Sequence, residues 1–470
     1  INNINKSGVY VGIVNRLGLE KSVILLAAVV SFVTAFLANI SVALPLIARE
    51  LAMSNIVQNW VATIFLLAIA ALSIPLGKLT SKYGLNRSLL IGIIVTMIGV
   101  IISCFSFTSE ILLLSRVVQG IGTAFINVAS MALIVSAVPP ETRGQALGLN
   151  IAGVYIGLSS APVIGGIVIY YLGWQSIFYC MLPFLLFSAY LCYSLKDEWT
   201  MYDGAIDKLG SIVYMLGILL FVYGFTVINT GLGKILLVAG LALLICFAYI
   251  ELRVDNPVFE VRLFKNARFS SSNLASLISY LATFVITYIV TYHFQYIMGL
   301  DSQISGLLLI DTPVMMAILA PISGRISDKI DPQKLAAIGM GFVTVAILIL
   351  CFLNESTPLY LIIIAMFLQG IGYGLFSTPN TNAIMSSVPK EETGTASASL
   401  AAMRVIGQTL SIGLLTVIFA YIMGNVPIVP EYYPLLMESS RISCIISAIL
   451  CVIAVCASLV GLRSDVEYET

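Results

Sequence analysis

Three charged residues fall deep inside long apolar runs of this sequence: Arg116, Asp311 and Arg404. A charge at the centre of a bilayer costs roughly 2.5–3.5 kcal/mol on insertion scales, so such residues mark relays, ion pathways or counter-ions. Asp311 lies nine residues in from Ser302, and Arg404 nine residues in from Thr395. At helical rise each is ~14 Å deep, near the midplane of a hydrocarbon core of ~30 Å. A carboxyl group in a low-dielectric cavity holds its proton more tightly, and a neighbouring arginine loosens it. Asp311 is therefore the candidate for proton exchange or cation binding, with Arg404 as its partner or as an anion anchor. A static salt bridge that fixes helix packing is the plainer alternative, and an outer aqueous vestibule around Asp311 is a third. His293 is the single histidine. Histidine can titrate near neutral pH, but a lone one is more often a polar residue satisfied by its neighbours.

The elements that hold these residues follow from composition. Of the residues, 59% are hydrophobic and 10% charged, with mean hydropathy +1.03, whereas a soluble domain carries about a quarter charged residues. The apolar runs lie near 22–47, 58–79, 88–107, 110–138, 144–171, 174–195, 209–229, 233–252, 270–299, 302–323, 334–353, 357–388, 395–424 and 436–462. Each is long enough to span a bilayer, and backbone in lipid must satisfy its own hydrogen bonds, so these are read as fourteen transmembrane helices of an all-α integral membrane protein. Pro75, Pro162, Pro183, Pro313, Pro321 and Pro379 fall inside them as expected kinks. The first run is too long for a cleaved signal peptide.

Several function classes are disfavoured. Net charge is zero, so no basic field suggests nucleic acid. The eight cysteines lie in apolar runs without metal-type spacing, and neither a disulfide, a metal nor a cofactor is expected. There is no GxxxxGK[ST] phosphate loop and no nucleophile with a base, so an enzyme is not expected. GIGYG at Gly370–Gly374 lies within one long apolar run. It reads as close helix packing through small residues, not as an ion filter.

Orientation follows from the basic residues. Lys78, Lys82, Arg87, Arg143, Lys208, Arg268, Arg325, Lys329 and most others fall on one side, and Arg49, Lys234 and Arg441 on the other. Assigning the rich side to the cytoplasm puts both termini inside. The chain also repeats itself. Gln119–Ala146 aligns without a gap to Gln369–Ala396, so Gly144 recurs as Gly394 and Gly157 as Gly407, while Gly77–Lys82 matches Gly324–Lys329. The offset of 250 leaves room for two extra helices between the halves. The expected domains are a six-helix bundle over 1–200, two inserted helices over 201–262, and a second six-helix bundle over 263–470.

Small residues at Gly153, Gly157 and Ala161, followed by Pro162, Gly165 and Gly166, make a flat stripe for close helix approach. They are read either as plain packing or as a hinge and seam between the halves. Asn39, Asn127, Asn150, Tyr155, Tyr288, Tyr292, Asn380, Asn382 and Gln408 are the candidates for lining a cavity.

The chain resembles the major facilitator superfamily over nearly its whole length, and within it the fourteen-helix drug:proton antiporter branch. The residues that carry the resemblance are SVALPLI at Ser41–Ile47, GKLTSKYGLNR at Gly77–Arg87, SRVVQGIG at Ser115–Gly122, the Gly153–Gly166 run, GWQSIFY at Gly173–Tyr179 and GRISDK at Gly324–Lys329. The resemblance implies two six-helix bundles rocking about a central site, bordered by the helices of Asp311 and Arg404. It implies gating loops at Gly77, Lys78 and Arg87 and at Gly324, Arg325 and Asp328, and a part for Arg116 in proton transfer. Three positions depart from the branch pattern. Phe36–Asn39 holds no acid, Ser81 replaces the usual aspartate, and Ala161 replaces a glycine. The expectation is a monomeric secondary transporter of the plasma membrane, exchanging protons for small amphiphilic, drug-like molecules. A facilitator or exporter of an ordinary metabolite, and a transporter-like sensor, remain as alternatives.

Overall fold

A computed structural model describes residues 18–462 apart from 41–42, 44–46, 48–49, 52, 54, 201–206, 227, 229, 255–256, 301, 390–391 and 424–429. The long helices, in chain order, are α1 (Leu19–Ala38), α2 (Asn55–Tyr83), α3 (Leu85–Cys104), α4 (Ser109–Ala137), α5 (Arg143–Leu172), α6 (Leu182–Ser194), α7 (Lys208–Thr226) and α8 (Gly231–Glu251). They continue with α9 (Ala267–Tyr292), α10 (Asp311–Ser327), α11 (Pro332–Leu350), α12 (Leu359–Ser386), α13 (Thr393–Ile422) and α14 (Tyr433–Leu462). Among the described residues, thirteen helical stretches are long and apolar enough to cross a membrane. The 30-residue α5 stands beside them.

The ends of these helices are written in short polar residues. Thr108 Oγ1 accepts from Ile111 N, Thr230 Oγ1 from Gly233 N, Asn266 Oδ1 from Arg268 N and Phe269 N, and Asp331 Oδ1 from Gln333 N. Each satisfies N–H groups that a helix start leaves without an internal partner. Glu198 does the same from a distance, accepting from Asn86 N and Arg87 N at the start of α3. Gly84 turns the chain between α2 and α3 with φ +106°, a conformation that side chains rarely adopt.

Several sequence expectations need correction. The first helix stops at Ala38, not near residue 47. Asn39 N closes it on the carbonyls of Ala35 and Phe36. Of the SVALPLI string only Ala43 and Ile47 lie within the described residues, and both are buried. Pro183 and Pro313 are not internal kinks. They sit in the first turns of α6 and α10, where a missing N–H costs nothing. Pro75, Pro321 and Pro379 are internal. The span drawn over 302–323 is a short helix, Ser302–Leu308, followed by a turn and then α10. The span over 270–299 ends in a π-helical turn, His293–Ile297.

Packing joins α1 to α5, α2 to α4 and α3 to α4 in the first half, and α9 to α13 and α14 and α11 to α12 in the second. The halves meet where α5 lies on α10 and α2 on α13. Helix α7, paired with α8, docks on α2 and α13: Tyr214 Oη donates to the Ala70 carbonyl at 3.0 Å, and the rings of Trp60 and Tyr223 lie 5.3 Å apart. The outward face of α8 is left bare at Leu232, Ile235, Val238 and Leu241, as a helix facing lipid should be.

Candidate functional site

A cavity of about 120 Å³ lies between the halves. The first half lines it with residues of α1, α2, α4 and α5, the second with residues of α9, α12 and α13. The internal repeat explains how. From α4 come Asn127 and Met131, and from α12 the repeat-equivalent Ser377 and Thr381. From α5 come Ile151, Val154, Tyr155 and Leu158, and from α13 the equivalent Ala401, Arg404, Val405 and Gln408. Every partner stands 250 positions on. The two walls nevertheless differ in chemistry. Val154, Leu158 and Met131 of the first half face Arg404, Gln408 and Thr381 of the second.

Arg404 forms no ion pair or hydrogen bond among the described residues. It shares the cavity lining with Tyr155 and Tyr280. No aspartate or glutamate lines the cavity among the described residues. Asp311 is not brought to it and forms no ion pair with Arg404. The turn before α10 makes Asp311 the first residue of that helix. Its Oδ1 accepts from Thr312 N at 2.6 Å, where the helix dipole favours an acid, and its Oδ2 is buried without a partner. Thr312 Oγ1 in turn donates to the Met366 carbonyl of α12 at 2.8 Å.

Arg116 is fully buried. Its guanidinium donates to the carbonyls of Val61 and Leu37 and to Gln119 Oε1, and it lies over the Phe65 ring at 4.2 Å. The Leu37 carbonyl is one of those left over at the C-terminus of α1, the negative end of its dipole. Arg116 therefore ties α1 and α2 to α4 without any carboxylate.

Of the other cavity candidates, Asn127, Tyr155, Asn380 and Gln408 line the cavity. The rest tie helices together. Asn39 donates to the Leu158 carbonyl, Asn150 accepts from Ser31, and Asn382 donates to Ser327. Tyr288 and Tyr292 belong to an aromatic ladder along α9 that reaches Phe419. His293 is buried at the π-helical turn, and neither of its nitrogens has a partner. Sequence reasoning missed Thr34, Thr123, Ser276, Tyr280, Ser377 and Thr381. The repeat register was the available signal for Ser377, which occupies the position of Asn127.

At the basic end of the helices the halves close on two related seams. On one, α5 starts against the end of α10, with Gly144 packed on the Gly324 backbone. Asp328 Oδ1 accepts from Gly144 N at 2.8 Å and Oδ2 from Gln145 N at 3.2 Å. Burial pushes the Asp328 carboxyl above its ordinary range, while these two donors and Arg143 pull it down. With its amide oxygen turned inward, Gln145 also accepts from Arg325 Nη2 at 2.9 Å. On the other seam Gly394 packs on Gly77. Here Ser81, which holds the place of Asp328, donates back to the Gly77 carbonyl of its own helix. Lys78 Nζ instead meets Glu392 Oε1 at 2.6 Å. Arg87 is exposed and lies 3.6 Å from Glu198.

The small-residue stripe is not a seam between the halves. Gly153 and Gly157 face the backbone of Ala28 and Phe32 on α1, within the first half, because the side of α5 that meets α10 carries Gly144 and Gly148 instead. Ala161 is buried, and Gly165 meets only the Ile177 side chain. The helix runs on through Pro162 and Gly166 without a break, and the side chain at 162 lies outside the described residues.

Two symmetry-related bundles around a central cavity define a class of membrane transporter. The sequence profile of the Major Facilitator Superfamily matches residues 24–412 and 272–466, and the chain belongs to that family. It is a multi-span membrane transporter of small molecules, not an enzyme. It is 27% identical over 387 residues to the riboflavin transporter RibZ of Clostridioides difficile (strain 630), covering 81% of this chain and 84% of that one. It is 27% identical over 392 residues to the multidrug resistance protein Stp of Mycobacterium tuberculosis (strain CDC 1551 / Oshkosh), covering 81% and 72%. The structure of the proton:xylose symporter XylE superposes with a TM-score of 0.66 at 15% identity, over 93% of this chain and 94% of that one.

Proposed function

We propose that the chain exports small amphiphilic molecules by alternating access in exchange for protons. Fourteen helices, arranged as six, two and six, would cross the plasma membrane with both termini in the cytoplasm. The observation that carries this reading is the cavity itself. It is lined from equivalent positions of both halves, and the second-half wall, with Arg404, Gln408, Asn380 and Thr381, is the more polar of the two, which suits a molecule with two dissimilar ends. Taking the basic end as cytoplasmic, the two seams close the cytoplasmic side of the cavity. The multidrug resistance protein among the relatives favours export, though the riboflavin transporter beside it keeps the substrate open.

Asp311 is the residue assigned to coupling. Its buried, unpaired Oδ2 offers a place for a proton, since a buried polar atom without a partner needs an explanation. Its distance from the cavity chemistry also supports a second reading, an uncoupled facilitator, because no acid lines the cavity among the described residues.

The test is proton movement in proteoliposomes that hold an internal pH dye, challenged with charged and neutral amphiphiles. Wild type is expected to move protons with substrate, and Asp311→Asn to lose the proton signal while keeping substrate binding. Substrate flux with no proton movement in wild type would establish the facilitator instead.

A further inference from the structure

We infer that the central cavity selects amphiphilic organic anions, with Arg404 as the group that takes the carboxylate or phosphate. This deepens the transport reading and rests on it. The membrane interior holds two buried or half-buried arginines with opposite surroundings. Arg116 gives Nε and Nη1 to Val61, Leu37 and Gln119 and keeps only Nη2 buried without a partner. Arg404 forms no hydrogen bond and no ion pair among the described residues, yet it lines the cavity. Arg404 is half-buried in that cavity, and a guanidinium set at membrane depth without a counter-charge is costly. Nothing on the cavity wall supplies that charge, because no acid stands there among the described residues.

An anionic headgroup supplies it, and the planar fork of arginine matches carboxylate and phosphate oxygens through paired, charge-assisted hydrogen bonds. Gln408 lies one helical turn from Arg404 on the same wall and adds a polar contact. The opposite wall of Ile151, Val154 and Leu158, with Phe65 and Tyr155 beside it, takes an apolar and preferably planar body. Cationic amphiphiles meet an uncompensated positive charge in the same place and are rejected.

The probes are a matched set on one ring system: naphthalene-2-carboxylate, 2-naphthyl phosphate, the neutral 2-naphthamide and the 2-naphthylmethylammonium cation. Binding to the purified full-length protein is measured by titration calorimetry for wild type, Arg404→Gln and Arg404→Lys. The expected result is that at least one of the two anions binds tenfold or more tighter than the amide and the cation. In Arg404→Gln the anions fall to the level of the amide, while an unfolding temperature like that of wild type reports an intact fold. Arg404→Lys keeps part of the preference.

Equal binding of amide, cation and anions in wild type overturns the inference, as does an anion preference that survives in Arg404→Gln, or a failure of every probe to bind. Flux of the same probes into proteoliposomes separates this from the transport reading. Charge-blind flux removes the anion class and leaves alternating access standing. Arg404-dependent anion binding without flux keeps the site and removes transport.

Discussion

An arginine inside a bilayer has to find acceptors, and Arg116 finds them in carbonyls that two other helices cannot use or can share. Removing it strands the Leu37 carbonyl and Gln119 in a dry interior. Each orphaned buried group costs about 1–3 kcal/mol. Arg116→Ala is therefore expected to lose on the order of 3 kcal/mol of stability, read as a lower unfolding temperature of the purified protein. Arg116→Lys should recover only part of it, because an ammonium lacks the spread of donors. An unchanged unfolding temperature in the alanine variant would show that the network is not structural. The depth of Arg116 was legible in the sequence, and its partners were not. The apolar run continues to Ile47 without a mark at Ala38, so the C-terminal carbonyls that hold the guanidinium could not be placed. Arg404 and Asp311 were read as a pair from their depth and from the helices that the family resemblance sets around the central site, and neither fixes the azimuth at which a side chain leaves its helix.

Helix α5 works on two faces. Gly153 and Gly157 seat it on α1, while Gly144 and Gly148 let α10 approach. A glycine pattern in sequence announces close packing but not the neighbour, which is why the stripe was open to reading as an inter-half seam. At the α5–α10 seam Asp328 provides a pH handle. Burial holds its carboxyl above the ordinary range when the seam is closed, against the pull of Gly144 N, Gln145 N and Arg143, and opening returns it to water. The closed form therefore binds the proton more tightly, so lowering pH from the raised value to the ordinary carboxylate value favours closure. Above the raised value that contribution is lost. Spin-label distances across the basic end should shift toward the closed population on acidification in wild type and lose this step in Asp328→Asn. The same shift in the variant would assign the pH response to another group.

At the scale of the whole molecule, the proposed 6 + 2 + 6 arrangement predicts which loops face which side. A cysteine at Arg87 should react with a membrane-impermeant maleimide only after cells are opened. One at Glu355, in the loop between α11 and α12, should react in intact cells. Reaction of both from the same side would break the fourteen-span topology. The repeat made much of the fold legible, because lipid forces helices and the 250-residue register pairs them. It also carried cavity positions that went unread, since Ser377 and Thr381 look like ordinary small polar residues until set against Asn127 and Met131.

The two unlike walls have a consequence for motion. Under the alternating access proposed above, the more polar wall would travel with the second bundle and the more apolar wall with the first, so a bound molecule would be gripped at its two ends by bodies moving in opposite directions. A solute with only one of the two characters rides with one bundle and lends nothing to the crossing between states. Discrimination on this account is exercised during the stroke as well as at the entrance, and a compound can occupy the chamber tightly yet be carried slowly.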